Sequence, residues 1–129
     1  MSLSGKMKQM KRKAFERLVQ CAVEELPAEF REKLENVAIL VEDHPTPEQL
    51  KRMEISEDDD LLGLYEGIPL TERGIDSPLY PDRIWIFQRP IEDSCETDEE
   101  IVEEVQITLV HEIAHFFGLD DDYLEELGY

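Results

Sequence analysis

His111-Glu112-Ile113-Ala114-His115 sets two imidazoles and a carboxylate in the order H-E-x-x-H. Residues four apart on a helix stand one turn apart on one face, so both imidazoles can reach one ion. Zinc favours nitrogen donors of this kind, and a catalytic zinc keeps one position open for water. With 3.6 residues per turn, Glu112 projects about 60° around the helix from His115. Its carboxylate can therefore reach a water held by the ion without becoming a ligand. The ion lowers the pKa of such a water to about 7, and the carboxylate takes its proton. Phe116-Phe117-Gly118-Leu119-Asp120-Asp121 extends the pattern to H-E-x-x-H-x-x-G-x-x-D. Gly118 can take a positive φ and turn the chain back sharply. That turn makes Asp121 a candidate third ligand, with Asp120, Asp122 and Glu125 competing for the role. A fourth protein donor would close the site and favour a structural zinc. The remaining histidine, His44, stands before Pro45 and reads as a surface imidazole.

The elements that must position these groups are legible from periodicity. Thr97-Asp98-Glu99-Glu100 has the form of a capping box. Val102, Val105, Leu109, Ile113 and Phe116 follow in steps of three and four, which predicts a helix from about 98 to 117 with Gly118 after its end. Residues 8–26 read as an amphipathic helix on Met10, Ala14, Leu18, Ala22 and Leu26. Pro27 stops it or starts a second short helix through Phe30 and Leu34. The apolar run Val37–Val41 reads as a buried strand. Residues 43–60 form an acidic loop with one helical turn near Pro47. A second strand runs over 61–66, whose glycines suggest a bulge or a close approach of another backbone. Residues 71–82 are a turn region, and Arg83–Gln88 is a third strand ended by Pro90. The acidic residues after Gly118 read as a tail.

Three stretches carry a family resemblance. Leu61 to Arg73 (LLGLYEGIPLTER), Pro81 to Ile91 (PDRIWIFQRPI), and His111 to Asp121 followed by Glu126-Leu127-Gly128-Tyr129 are similar to the signatures of the small bacterial zincin-like metallopeptidases. The resemblance covers about Phe15 to Tyr129. It implies an α+β, minimal zincin-like fold: an N-terminal helix, a small mixed three-stranded sheet and a C-terminal active-site helix. It implies His111, His115 and Asp121 as ligands of Zn2+ and Glu112 as the general base. In such proteins an antiparallel edge strand lines the cleft and pairs with substrate backbone. Residues 61–67 are the expected edge, with Gly63, Leu64 and Tyr65 as substrate contacts. The larger metzincins are similar only locally, since they place His where this chain has Asp121.

Composition narrows the partners. The 129 residues fit one domain, with 1–7 expected to be flexible. Lys and Arg number 13 against 32 Asp and Glu, a net charge of −19. A surface this acidic repels phosphate backbones and anionic lipid, so neither nucleic acid nor membrane is an expected partner. Six cations crowd residues 1–17, whereas Pro90 to Tyr129 holds none and fourteen acids. Cys21 and Cys95 form no metal-spaced pair, and a reduced, cytoplasmic chain is expected. Arg73, Arg89, Tyr123 and Tyr129 are candidates to meet a substrate carboxylate or an oxyanion. The expected function is hydrolysis of peptide bonds in a peptide or protein substrate, with cationic segments favoured. A zinc-binding regulatory or interaction module with little turnover is the alternative, and a zinc hydrolase of another amide or ester is a third reading.

Overall fold

The structure is a computed structural model. It describes residues 10–52, 61–67 and 82–129, except for the side chain of Asp121. The expected flexible stretch 1–7, the loop residues 53–60, the turn residues 71–81 and Arg73 lie outside the described residues.

Helix α1 (Arg12–Glu24) buries Phe15, Val19 and Ala22. It begins later than its periodicity predicts, for a tertiary reason. The Met10 N–H donates to Glu92 Oε2 at 3.1 Å, and the Met10 carbonyl accepts from Gln88 Nε2 at 2.9 Å. These bonds hold Met10 ahead of the helix, against the buried Gln88 and Glu92. Pro27 opens α2 (Ala28–Lys33), which buries Phe30. Helix α3 (Pro47–Arg52) starts with a reciprocal pair: Gln49 N–H donates to Thr46 Oγ1 and Thr46 N–H to Gln49 Oε1.

Strands β1 (Val37–Glu42), β2 (Gly63–Glu66) and β3 (Asp82–Phe87) form a sheet in the order β1-β3-β2. β1 runs parallel to β3, with Ile39 opposite Ile84; β2 runs antiparallel, with Tyr65 opposite Ile84. The sheet is mixed, as expected, and β2 pairs regularly without a bulge. β1 is half-buried, not buried, because among the described strands it has only β3 beside it. Alternation along β3 sorts its side chains. Ile84 and Ile86 join the main core with α1 and the long helix α5 (Asp98–Phe117), while Phe87 and Trp85 pack with Leu61, Leu64 and Leu50.

Two further elements were not legible. β3 ends at Phe87, and Gln88 opens helix α4 (Gln88–Asp93). Pro90 does not terminate the strand; it sits in the first helical turn, where a missing N–H leaves no bond unmade. The acidic residues after Gly118 are not a loose tail. They form helix α6 (Asp121–Glu126), anchored by the buried Leu124. Among the described residues no helix is long and apolar enough to cross a membrane.

Candidate active site and metal centre

Helix α5 is fixed at both ends by its own sequence. Thr97 Oγ1 accepts from the Glu100 N–H at 3.1 Å. Glu100 Oε1 accepts from the Glu96 N–H at 2.8 Å, so the return bond of the capping box lands one residue early. Asp98, Glu99 and Glu100 complement the positive end of the helix dipole. At the far end Gly118 adopts φ 69°, and the Leu119 N–H closes on the Ala114 carbonyl at 2.8 Å. That left-handed residue is what turns the chain into α6.

Between these caps the helix presents two faces. Ile101, Val105, Leu109 and Ile113 are fully buried. Another stripe carries His111, half-buried, and His115, exposed. The spacing of four puts both imidazoles on one face, one turn apart. Glu112 leaves the helix toward β2. Its Oε1 accepts the backbone N–H of Tyr65 at 2.9 Å. Burial pushes the Glu112 carboxyl above its ordinary range, opposed by the Tyr65 N–H and by the charges of His115 and His111.

The register of β2 explains that contact. Leu62 O accepts from Phe87 N at 3.0 Å, continuing the pairing of Gly63 with Ile86. Antiparallel ladders alternate bonded and non-bonded pairs. The amides of Gly63 and Tyr65 therefore turn away from β3, and the Tyr65 N–H meets Glu112. β2 lies at the outer side of the described sheet, beside α5, in the place expected of the edge strand. Gly63 is small for a packing reason: a Cβ there would stand 2.5 Å from Thr108 Cγ2 and 3.0 Å from the Trp85 carbonyl. The close neighbours are the facing helix and the paired strand. The Tyr65 ring stacks on Phe116 at 4.0 Å, and its hydroxyl donates to Asp82 Oδ2 at 2.8 Å. Leu64 is buried against Phe87 and Leu61.

An open pocket of about 190 Å³ lies where α5 faces the start of β2. Leu61, Leu62 and Gly63 form one wall, and Glu104, Ile107 and Thr108 the other. His111 and Glu112 border it as well. Glu104, Ile107 and Thr108 escaped the sequence reading, although their spacing of seven, four and three before His111 puts them along one face.

Two imidazoles on one helical face with a carboxylate nearby suit zinc, which takes nitrogen and oxygen donors. Among the described residues no group of three His, Cys, Asp or Glu side chains comes together to hold an ion. Of the competing third ligands, Asp120 is engaged as the cap of α6, accepting from the Asp122 N–H at 3.0 Å, and Asp122 and Glu125 are exposed. The Asp121 side chain lies outside the described residues. Tyr123 gives its hydroxyl to Glu29, and Tyr129 packs edge-on to Phe30 at 6.2 Å. Arg89 pairs with Glu92 at 2.9 Å, and His44 is exposed.

Known proteins give this geometry a context. The chain is similar over 92% of its length to a conserved hypothetical protein from Thermo thermophilus, at 25% identity and a TM-score of 0.53, covering 97% of that chain. No curated protein matches it. The family model of the zincin-like metallopeptidases matches residues 34–129, which takes in β1 to β3, α5 and α6. The chain belongs to the zincin-like metallopeptidase family.

Proposed function

We propose that the protein is a zinc-dependent peptidase in which His111, His115 and Asp121 hold the ion and Glu112 is the general base. The observation that carries this reading is the anchoring of Glu112. Its carboxylate is tied by Oε1 to the backbone of β2, half-buried, at the border of an open pocket. When bound, zinc supplies Lewis-acid activation of a water and of the scissile carbonyl. Glu112 keeps Oε1 on the Tyr65 N–H and receives the water's proton on Oε2. The same carboxyl then delivers that proton to the leaving amine nitrogen, which restores the base. Partial burial by itself raises the carboxyl's affinity for a proton. An extended substrate adds along Gly63, Leu64 and Tyr65, the outward amide of Gly63 offering it a backbone partner.

The test is turnover of a mixed peptide library by zinc-loaded wild type and by Glu112→Gln. The variant is expected to keep its zinc and lose about 10²- to 10⁴-fold in rate, the usual contribution of a positioned base. Equal rates would remove Glu112 from the chemistry. No cleavage by the zinc-loaded wild type would leave the zinc-binding module as the better reading.

A further inference from the structure

The pocket beside Glu112 has a chemistry of its own. Leu61, Leu62 and Ile107 give it apolar walls, and among the described residues Glu104 is the one acid lining it other than Glu112. Glu104 is half-buried, and no ion pair among the described residues reaches it. From Pro90 to Tyr129 the chain holds no Lys or Arg, so no cation close in sequence is at hand to pair with it. A carboxylate partly withdrawn from water gains from a cationic partner. His111 and Glu104 both line the pocket, about 10 Å apart in rise at 1.5 Å per residue, so a long side chain lying in it from the His111 side points along the helix toward Glu104.

We infer that this pocket receives a lysine or arginine side chain of the substrate, its aliphatic stem against Leu61, Leu62 and Ile107 and its cationic head at Glu104. Such side chains bury their stems on apolar surface while the charged end finds water or a counter-charge. Glu104 is thus the specificity-determining residue. The inference rests on the zinc-peptidase reading for the identity of the ligand as a peptide, and on the pocket alone for the side chain.

Equilibrium binding tests it with turnover blocked. Zinc-loaded, 15N-labelled Glu112→Gln protein is titrated with three capped pentapeptides, alanine throughout except for a central Lys, Leu or Glu. The titration is run at near-physiological salt, where long-range attraction is screened beyond about 8 Å. The lysine peptide is expected to bind about fivefold tighter than the leucine peptide, the upper range for a partly exposed charge pair, and to move the amides of Gly63, Glu104 and Ile107. Adding Glu104→Gln should bring lysine down to leucine. Adding Glu103→Gln, an equal charge change at an exposed neighbouring position, should leave the preference intact. Glu104→Lys should transfer the preference to the glutamate peptide. Equal binding of lysine and leucine overturns the inference. So does a lysine preference that survives Glu104→Gln, or one that falls equally in Glu103→Gln. The two readings fail differently. Pocket binding without turnover by zinc-loaded wild type defeats the peptidase; turnover indifferent to lysine defeats the pocket.

Discussion

Strands β1 and β2 flank β3 on opposite sides, and each is tied to a helix by a charged side chain, but the charges have opposite sign. On the β1 side Arg12 of α1 donates to the Val41 carbonyl at 2.8 Å and to Asp43 Oδ1 at 2.8 Å. The Arg89 backbone N–H adds a bond to the Asp43 carbonyl at 3.1 Å. On the β2 side Glu112 of α5 accepts the Tyr65 N–H. A guanidinium stays protonated at any pH a protein meets, so the first link is a permanent fastening. A carboxylate can take up a proton and release it, so the second link joins the sheet to a group able to do chemistry. One margin holds the N-terminal helix in place, and the other holds the candidate base. The difference implies that breaking the Arg12 link changes stability and leaves turnover alone, while altering Glu112 at the β2 link does the reverse.

The strongest attempt to break this contrast is to remove both histidines. Metal analysis of the wild type should find about one zinc per chain, and His111→Ala with His115→Ala should find none. Full zinc in the double variant would end the metal reading. Next comes Glu112→Gln, with its loss of about 10²- to 10⁴-fold in rate. Urea unfolding of that variant should stay near wild type, because the amide oxygen can still accept the Tyr65 N–H. A large loss of stability would show that the β2 link is a fastening too.

Gly63→Ala sharpens the contrast from inside β2. Its Cβ would meet Thr108 and the Trp85 carbonyl, and overpacking of this kind costs about 1–3 kcal/mol. Thr108→Ser removes the methyl and should recover part of that loss, while the Trp85 backbone contact keeps recovery incomplete. On the other side Arg12→Ala deletes bonds to Val41, Asp43 and Gln88. It should cost about 1–2 kcal/mol, the scale of lost bonds to a charged group, with zinc content and turnover unchanged.

How far the sequence reached depended on range. Helix α5 was legible from Thr97 to Gly118 because its cap, its periodicity and its stop are all local. The Asp120 cap of α6 is local as well, but five acids and two tyrosines around Leu124 disguise a helix whose apolar contact is one buried residue. Pro90 misled because proline reads as a stop in a strand, yet is admitted at the start of a helix. The run Val37–Val41 is apolar at every position, which suggests cover on both faces. Its place beside β3 alone among the described strands is tertiary information. At the site, the H-E-x-x-H spacing picked out the candidate base and the paired imidazoles. That Glu112 leans on the Tyr65 amide, and that Glu104 lines the neighbouring pocket, depend on which part of β2 faces which turn of α5. Forty-seven residues separate Tyr65 from Glu112, and no local rule spans them.

The smallest expected effect is a pH dependence confined to the β1 margin. The hydrogen bond from Arg12 holds the Asp43 carboxyl below its ordinary value, helped by the charges of Arg89, Arg12 and His44 and opposed by partial desolvation. An unperturbed aspartate titrates near about 3.9. The folded pKa lies lower, so folding favours the ionised form. Asp43 then contributes its full stabilisation above the unfolded value, and that contribution fades as pH falls from about 4 through the folded pKa. Because the carboxylate is half-exposed, solvent and salt screen the pair, and the effect should shrink as salt is raised. Urea midpoints of wild type and Asp43→Asn should differ at neutral pH and converge in acid. Chelating the zinc should leave the convergence in place, since Arg12 and Asp43 lie across the sheet from the histidines. A convergence that vanished with the metal would mean that the two margins act as one unit, and the division of labour between β1 and β2 would have to be given up.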